Sequence, residues 1–195
     1  MKLSKSLIGI IAAVVIIGGW AVSAYNSMVG EQEKATTAFA NVQSAYQRRA
    51  DLIPNLVETV KGYASHEKET LEGVVNARSK ATQMTVDPEN LTPEKLQEYQ
   101  KAQGELGAAL GRLIAISESY PDLKANENFR DLQVQLEGTE NRINEARNKF
   151  NEVVQQYNVV IRSFPKNILA GIFGFDKMSK FEAEAGAEKA PQVKF

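Results

Sequence analysis

The chain has 195 residues, 23 basic against 24 acidic side chains, and no cysteine. So even a charge balance gives no basic field for nucleic acid, and without cysteine there are no disulfides, thiolate metal sites, catalytic thiol or lipidated cysteine. With Gly and Pro sparse and no period-two alternation of aromatic and β-branched residues beyond the N-terminus, the composition predicts an all-α body.

Lys2 and Lys5 precede an apolar stretch from Leu7 to Tyr25, and the next charge is Glu31. A helix of about 20 residues crosses the hydrocarbon core of a bilayer, and Trp20 and Tyr25 are placed as interfacial aromatics at its far end. Val22-Ser23-Ala24 would also serve as the cleavage site of a secretory signal. The stretch exceeds a typical signal core of about 7–15 residues and feeds into helical sequence without a break, so a retained anchor over residues 1–25 is preferred. The lipid bilayer is then the partner of residues 7–25. The two lysines favour a cytoplasmic N-terminus, which places the body outside the cytoplasm; Lys34 pulls weakly the other way.

The body expected over residues 26–181 begins with a helix to about residue 83. Phe39, Val42, Tyr46, Ile53, Leu56, Val60 and Tyr63 fit one heptad seam. Leu71, Val74 and Val75 continue it after a phase slip near Ala64. Arg49 falls on the seam, where a polar residue sets register at a cost in stability. Pro54 predicts a kink, because it removes the bond to Ala50. Arg48, Arg49 and Asp51 beside Pro54 read either as a recognition site at that kink or, in the favoured reading, as ion pairs. His66 has no second histidine or nucleophile pattern near it, so it reads as a solvated helix residue.

A second helix is predicted over about 92–119. Thr92-Pro93-Glu94 supplies an N-cap, a first-turn proline and an early acid. Leu96, Tyr99, Leu106, Leu110, Leu113 and Ile114 form its apolar face. Gly104, Gly107 and Gly111 each weaken a helix by about 1 kcal/mol relative to alanine, which points to close backbone approach of a neighbour. Tyr120-Pro121-Asp122 ends the helix.

The third helix, over about 126–164 with Asn126 as N-cap, carries the clearest period. Phe129, Leu132, Leu136, Thr139, Ile143, Ala146, Phe150, Val153, Tyr157, Val160 and Phe164 alternate spacings of three and four, which demands a partner helix. The short loops make these helices antiparallel neighbours. At about 1.5 Å per residue the first helix runs roughly 85 Å, the second about 40 Å and the third about 55 Å. The seam around Phe39, Val42 and Tyr46 is then left without a partner in the chain, and a homo-oligomer is expected to cover it.

After Pro165 the stretch to Phe175 is apolar and punctuated by glycine. Ile168, Leu169, Ile172, Phe173 and Phe175 make it either a docking segment for a protein or membrane surface or a cap on the helical core. From 182 to 195 the composition is that of a disordered tail.

The chain resembles the LemA family of bacterial membrane proteins over nearly its whole length. The matching residues are Tyr25-Asn26, the run from Gln47 to Val57 (QRRADLIPNLV), Tyr120 to Ala125 (YPDLKA), Gln135 to Asn141 (QLEGTEN), Ala146-Arg147, Tyr157-Asn158, Phe164-Pro165 and Gly174-Phe175. The resemblance implies a single-pass membrane protein with an antiparallel helical bundle. It implies no activity and carries over no catalytic residue, and it adds membrane proteases or other membrane proteins as expected partners.

The sequence therefore describes an N-terminal transmembrane helix continuing into a long antiparallel up-down bundle, with no cofactor, metal or catalytic site expected. The leading functional reading is a non-enzymatic membrane-anchored scaffold or adaptor acting through self-association and partner binding. Its candidate contact residues are Phe39, Tyr46, Arg48, Arg49, Asp51 and Pro54 on the first helix, with the five apolar residues after Pro165. The alternative is a protein that organises or senses the membrane surface through that last segment, and a distant third reading is an enzyme with no recognisable site.

Overall fold

The computed structural model describes residues 5–88 and 91–182. Lys2 and all of the expected tail beyond Glu182 lie outside the described residues. The described residues are all-α, in the order α1 (Lys5–Lys61), α2 (Lys68–Gln83), α3 (Pro93–Ser117), α4 (Pro121–Ala125), α5 (Glu127–Arg162) and α6 (Lys166–Phe173). Those up to Arg48 together with Gly138–Met178 form one compact unit. Arg49–Glu137 with those from Ser179 onward form another. Both α1 and α5 contribute residues to each.

In the first unit α1 packs on α5. Met28, Ala35, Phe39, Val42 and Tyr46 are buried along one face of α1, and Ile143, Phe150, Val153, Tyr157 and Ile161 along one face of α5. The Phe39 and Phe150 rings lie 5.4 Å apart, while Met28 clusters with Tyr157 and Ile161. Later residues of α1 thus meet earlier residues of α5, so the pair is antiparallel. The expectation of an unpartnered stalk is overturned here: Phe39 and Val42 are fully buried and Tyr46 nearly so. Their seam is covered by α5 of the same chain, and the length argument for a covering homo-oligomer no longer holds.

That argument failed because α1 ends at Lys61, whereas the sequence predicts one helix to about residue 83. The phase slip at Ala64 is a helix end. Gly62, a poor helix former, opens a turn in which the amides of Tyr63 and Ala64 bond the carbonyl of Val60. Ala64 is buried and Tyr63 leaves the seam, half exposed, its hydroxyl accepting from Asn126 Nδ2 at 2.9 Å. Helix α2 then folds back: Arg78 Nε donates to the carbonyl of Ala50 on α1 at 2.8 Å. Val75, expected on the seam, is half exposed. The heptad slip therefore reflects a change of helix and not a change of supercoil. Through Pro54, by contrast, α1 continues as helix.

The second unit is built on four helical segments, the end of α1, α2, α3 and the start of α5, with α4 between the last two. Ile53, Leu56, Val60, Leu71, Val74, Leu106, Leu110, Leu113, Leu123, Phe129, Leu132 and Leu136 make one continuous core. Two caps set the segment starts. Thr92 Oγ1 accepts from the Lys95 amide at 3.3 Å, with Pro93 in the first turn; Asn126 Oδ1 accepts from the Phe129 amide at 3.0 Å. Each satisfies a backbone donor that the helix itself leaves open. At the other end of α3, Tyr120 donates its hydroxyl to Glu67 at 2.8 Å, tying the end of α3 to the start of α2. The carboxylate partner raises the Tyr120 pKa above its ordinary 10.0.

Candidate functional site

The charged residues around Pro54 divide between a buried side and an exposed side of α1. On a helix, neighbouring positions point about 100° apart, and here that separation sends Arg49 inward while Arg48, Asp51 and Pro54 face outward. Arg49 is buried in the second unit, where its Nη2 donates to both the backbone oxygen and Oε1 of Gln103, at 2.9 and 2.8 Å. Gln103 in turn donates Nε2 to the carbonyl of Ala81 at 3.4 Å. One guanidinium thus links α1, α3 and α2 across an otherwise apolar core. Gln103 was missed by the sequence reading. Its signal was present, since a glutamine on the buried face of α3 needs partners.

The glycines of α3 are corrected by the same geometry. No backbone of a neighbour approaches them: a Cβ would meet nothing within 4 Å at Gly104 or Gly111, and at Gly107 only Arg49 Nη1, at 3.6 Å. His66 lies exposed in the turn after α1. Among the described residues no group of three or more His, Asp or Glu side chains comes close enough together to hold a metal.

The apolar segment after Pro165 behaves differently from the Arg49 region. It forms α6, and it belongs to the first unit. Ala170 is buried against Met28, Tyr157 and Ile161, with Leu169 and Phe175 half-buried at the edge of that cluster. Ile168 and Ile172, one turn apart on the opposite side, are 55% and 69% exposed, and Phe173 is 55% exposed. Phe164, expected on the seam of α5, is 82% exposed: α5 ends at Arg162, so the helical period no longer governs it. The segment therefore caps the cluster with one side, as one of the two readings expects, and leaves an apolar face open on the other.

Two contacts fix α6 to α1 at the end of the apolar stretch. The ring of Tyr25 meets Phe173 edge-on at 5.0 Å and Phe175 at 5.6 Å. Lys166 Nζ donates to Ser27 Oγ at 3.2 Å. Gly174 then takes a left-handed conformation, φ 74°, and the Phe175 amide bonds the carbonyl of Ala170, a helix end that favours glycine. The chain returns along α5. Tyr157 donates its hydroxyl to the carbonyl of Asp176 at 3.0 Å. Asn158 both donates to the carbonyl of Met178 and accepts its amide, at 2.9 and 3.0 Å. Burial, with the nearby Asp176 charge, raises the Tyr157 pKa, so the phenol stays a donor well into alkaline pH.

Helix α1 is the one described helix long and apolar enough to cross a membrane. Its side chains from Lys5 to Trp20 are all exposed; a helix apolar on every side is either a buried core helix or a membrane span, and the stretch from Leu7 is not buried.

The model of the LemA family matches residues 38–195. The chain is similar to the magnetosome protein MamQ of Magnetospirillum gryphiswaldense, 28% identical over 189 residues covering 87% of this chain and 70% of that one. It is similar to a MamQ protein of Paramagnetospirillum magneticum, 24% identical over 84% of this chain and 66% of the relative. It is also similar to the protein LemA of Metamycoplasma hominis, 26% identical over 60% of this chain and 50% of the relative. The chain thus spans about two thirds of the MamQ relatives and half of the LemA relative.

Proposed function

The chain belongs to the LemA family, and on that premise we propose that it is a membrane-anchored, non-enzymatic scaffold: one span holds the helical body at the bilayer, and the body acts by contact with membrane proteins and with other copies of itself. One observation carries this reading. The polar side chains best suited to chemistry are committed to holding helices together, as with Arg49 on Gln103, Arg78 on Ala50 and Tyr157 with Asn158 on the returning chain. Outward, the described residues present exposed helix faces, among them the apolar side of α6. The body is placed on the extracytoplasmic side, from the lysines that precede the span. Crosslinking of the full chain in native membranes, followed by mass spectrometry, tests the proposal. Crosslinks from the exposed faces of α1, α3 or α5 to a second copy or to another membrane protein are expected; intrachain crosslinks alone would overturn it.

A second reading, a protein that organises the membrane surface, is favoured by the place of α6. One of its exposed apolar side chains, Phe173, lies against Tyr25, where the apolar run of α1 ends. The two readings are compatible, because a scaffold held at a defined attitude to the bilayer presents its other faces consistently.

A further inference from the structure

We propose that α6 is an interfacial foot: with Phe164 it inserts Ile168, Ile172 and Phe173 into the headgroup–acyl boundary of the leaflet from which α1 emerges. The occupant of this open face is therefore lipid and not protein. The inference rests on the reading of α1 as a membrane span.

Height comes first. The run from Leu7 to Tyr25, at about 1.5 Å per residue, is close to the thickness of a bilayer core, so Tyr25 marks the interface. The two ends of α6 touch α1 at almost that one level, Phe173 on Tyr25 and Lys166 on Ser27. Two residues along α1 rise only about 3 Å, whereas a helix of eight residues is about 12 Å long. Contacts so close in level at the two ends of α6 are those of a helix lying across α1 rather than along it. With α1 along the bilayer normal, α6 lies near the membrane plane.

Direction follows from what α6 covers. Its buried side meets Met28, Tyr157 and Ile161, all on the body side of Tyr25 in this antiparallel pair. Ile168 and Ile172 lie opposite Ala170 on the helix, so they face away from that cluster and stay open. Burial of α1 begins at Ala24, while Val22 is 62% exposed. The open face of α6 thus lies at the level where the exposed surface of the apolar run ends.

The flanks fit the same place. Lys166 sits at the start of α6, and Arg162 and Lys177 are exposed on either side of it. Long basic side chains beside an apolar helix face reach up to phosphates while their stems stay in the apolar layer. A protein partner would also cover an apolar patch, but it would give no reason for the patch to coincide with the exit point of the span.

The chain has no cysteine, so single cysteines report one site each. Full-length chains carrying Ile168→Cys, Ile172→Cys or, as the control, Asn144→Cys on an exposed position of α5, would be labelled with an environment-sensitive fluorophore. They would then be reconstituted in phosphatidylcholine–phosphatidylglycerol vesicles. The labels at 168 and 172 are expected to be quenched by nitroxide-bearing lipid and to show at least about fivefold lower quenching by aqueous iodide than the label at 144. Iodide quenching equal to the control would overturn the foot. So would labels shielded from both quenchers, since a protein surface would then be the cover. Integration is checked separately by alkaline carbonate. A chain extracted by carbonate overturns the span and the foot together, whereas an integrated chain with water-exposed labels overturns the foot alone.

Discussion

The two compact units solve the same problem, burying one face of a long helix, with opposite kinds of closure. The unit holding residues 49–137 surrounds its core with four helical segments and places one buried cation, Arg49, among them. The unit holding residues 138–178 with the first part of α1 has two long helices only. It closes its end with a short helix and a returning segment latched by Tyr157 and Asn158. Two helices cannot enclose a core by themselves, because each buries a stripe and leaves the flanks of that stripe wet. The latch and α6 supply the missing cover, and they do so at the end next to the apolar run. That difference separates a part that is stable by enclosure from a part whose last apolar face is left for the membrane.

The largest effects should come from the ring at the centre of each core. Phe150→Ala in the first unit and Phe129→Ala in the second, both 1% exposed in the native chain, are each expected to destabilise by about 3–5 kcal/mol. Native-state hydrogen exchange on the full chain in vesicles would read them. Loss of protection confined to the unit that carries the substitution sharpens the comparison, and equal loss in both would break it by making them one cooperative block.

Next come the two polar devices. Arg49→Met leaves the Gln103 side chain and carbonyl without their charged donor, a loss of about 1.5–3 kcal/mol, read as a lower unfolding midpoint in denaturant. Asn158→Ala removes both bonds to Met178, about 1–2 kcal/mol at the usual net value per bond. Its distinct signature is faster proteolysis after Gly174. A variant whose midpoint falls without that cleavage would show that the returning segment is held by its apolar contacts alone.

Gly111→Ala tests the corrected reading of α3. With nothing within 4 Å of the added Cβ, the substitution is expected to stabilise by about 0.5–1 kcal/mol. A destabilised variant would restore the idea of a close neighbour.

The smallest effect belongs to Tyr120, at the surface of the second unit. Its raised pKa means that the bond to Glu67 is fully present below pH 10.0 and lost as pH rises through the folded value. Tyr120→Phe should therefore lower the neutral plateau slightly, by the contribution of that one exposed bond, and flatten the alkaline limb of stability against pH. An unaltered alkaline limb would assign that loss to Tyr157, whose pKa is raised by burial in the first unit.

Much of this was legible in the sequence for particular reasons. The apolar run, the caps at Thr92 and Asn126 and the period from Phe129 to Tyr157 are local signals, and local physics forms them. The turn at Gly62–Glu67 was not read as a helix end, because the heptad pattern resumes beyond it and a phase slip looks the same in one dimension. Phe39 and Tyr46 were read as an interaction surface for the same reason: with α2 added to α1, the helix seemed too long for its partners. Arg49 was placed on the seam correctly, but its partner on α3 is 54 residues away, beyond any local pattern.

The sequence by itself determined that this is an all-α member of the LemA family with one helix able to cross a membrane, since length, periodicity and family motifs are properties of the chain. Only the tertiary structure decided which apolar faces are covered. A heptad stripe states that a helix needs a neighbour but does not say which one. Burial of Phe39 by Phe150, and exposure of Ile168 and Ile172 on a helix whose Phe173 meets Tyr25, depend on where α5 and α6 come to rest.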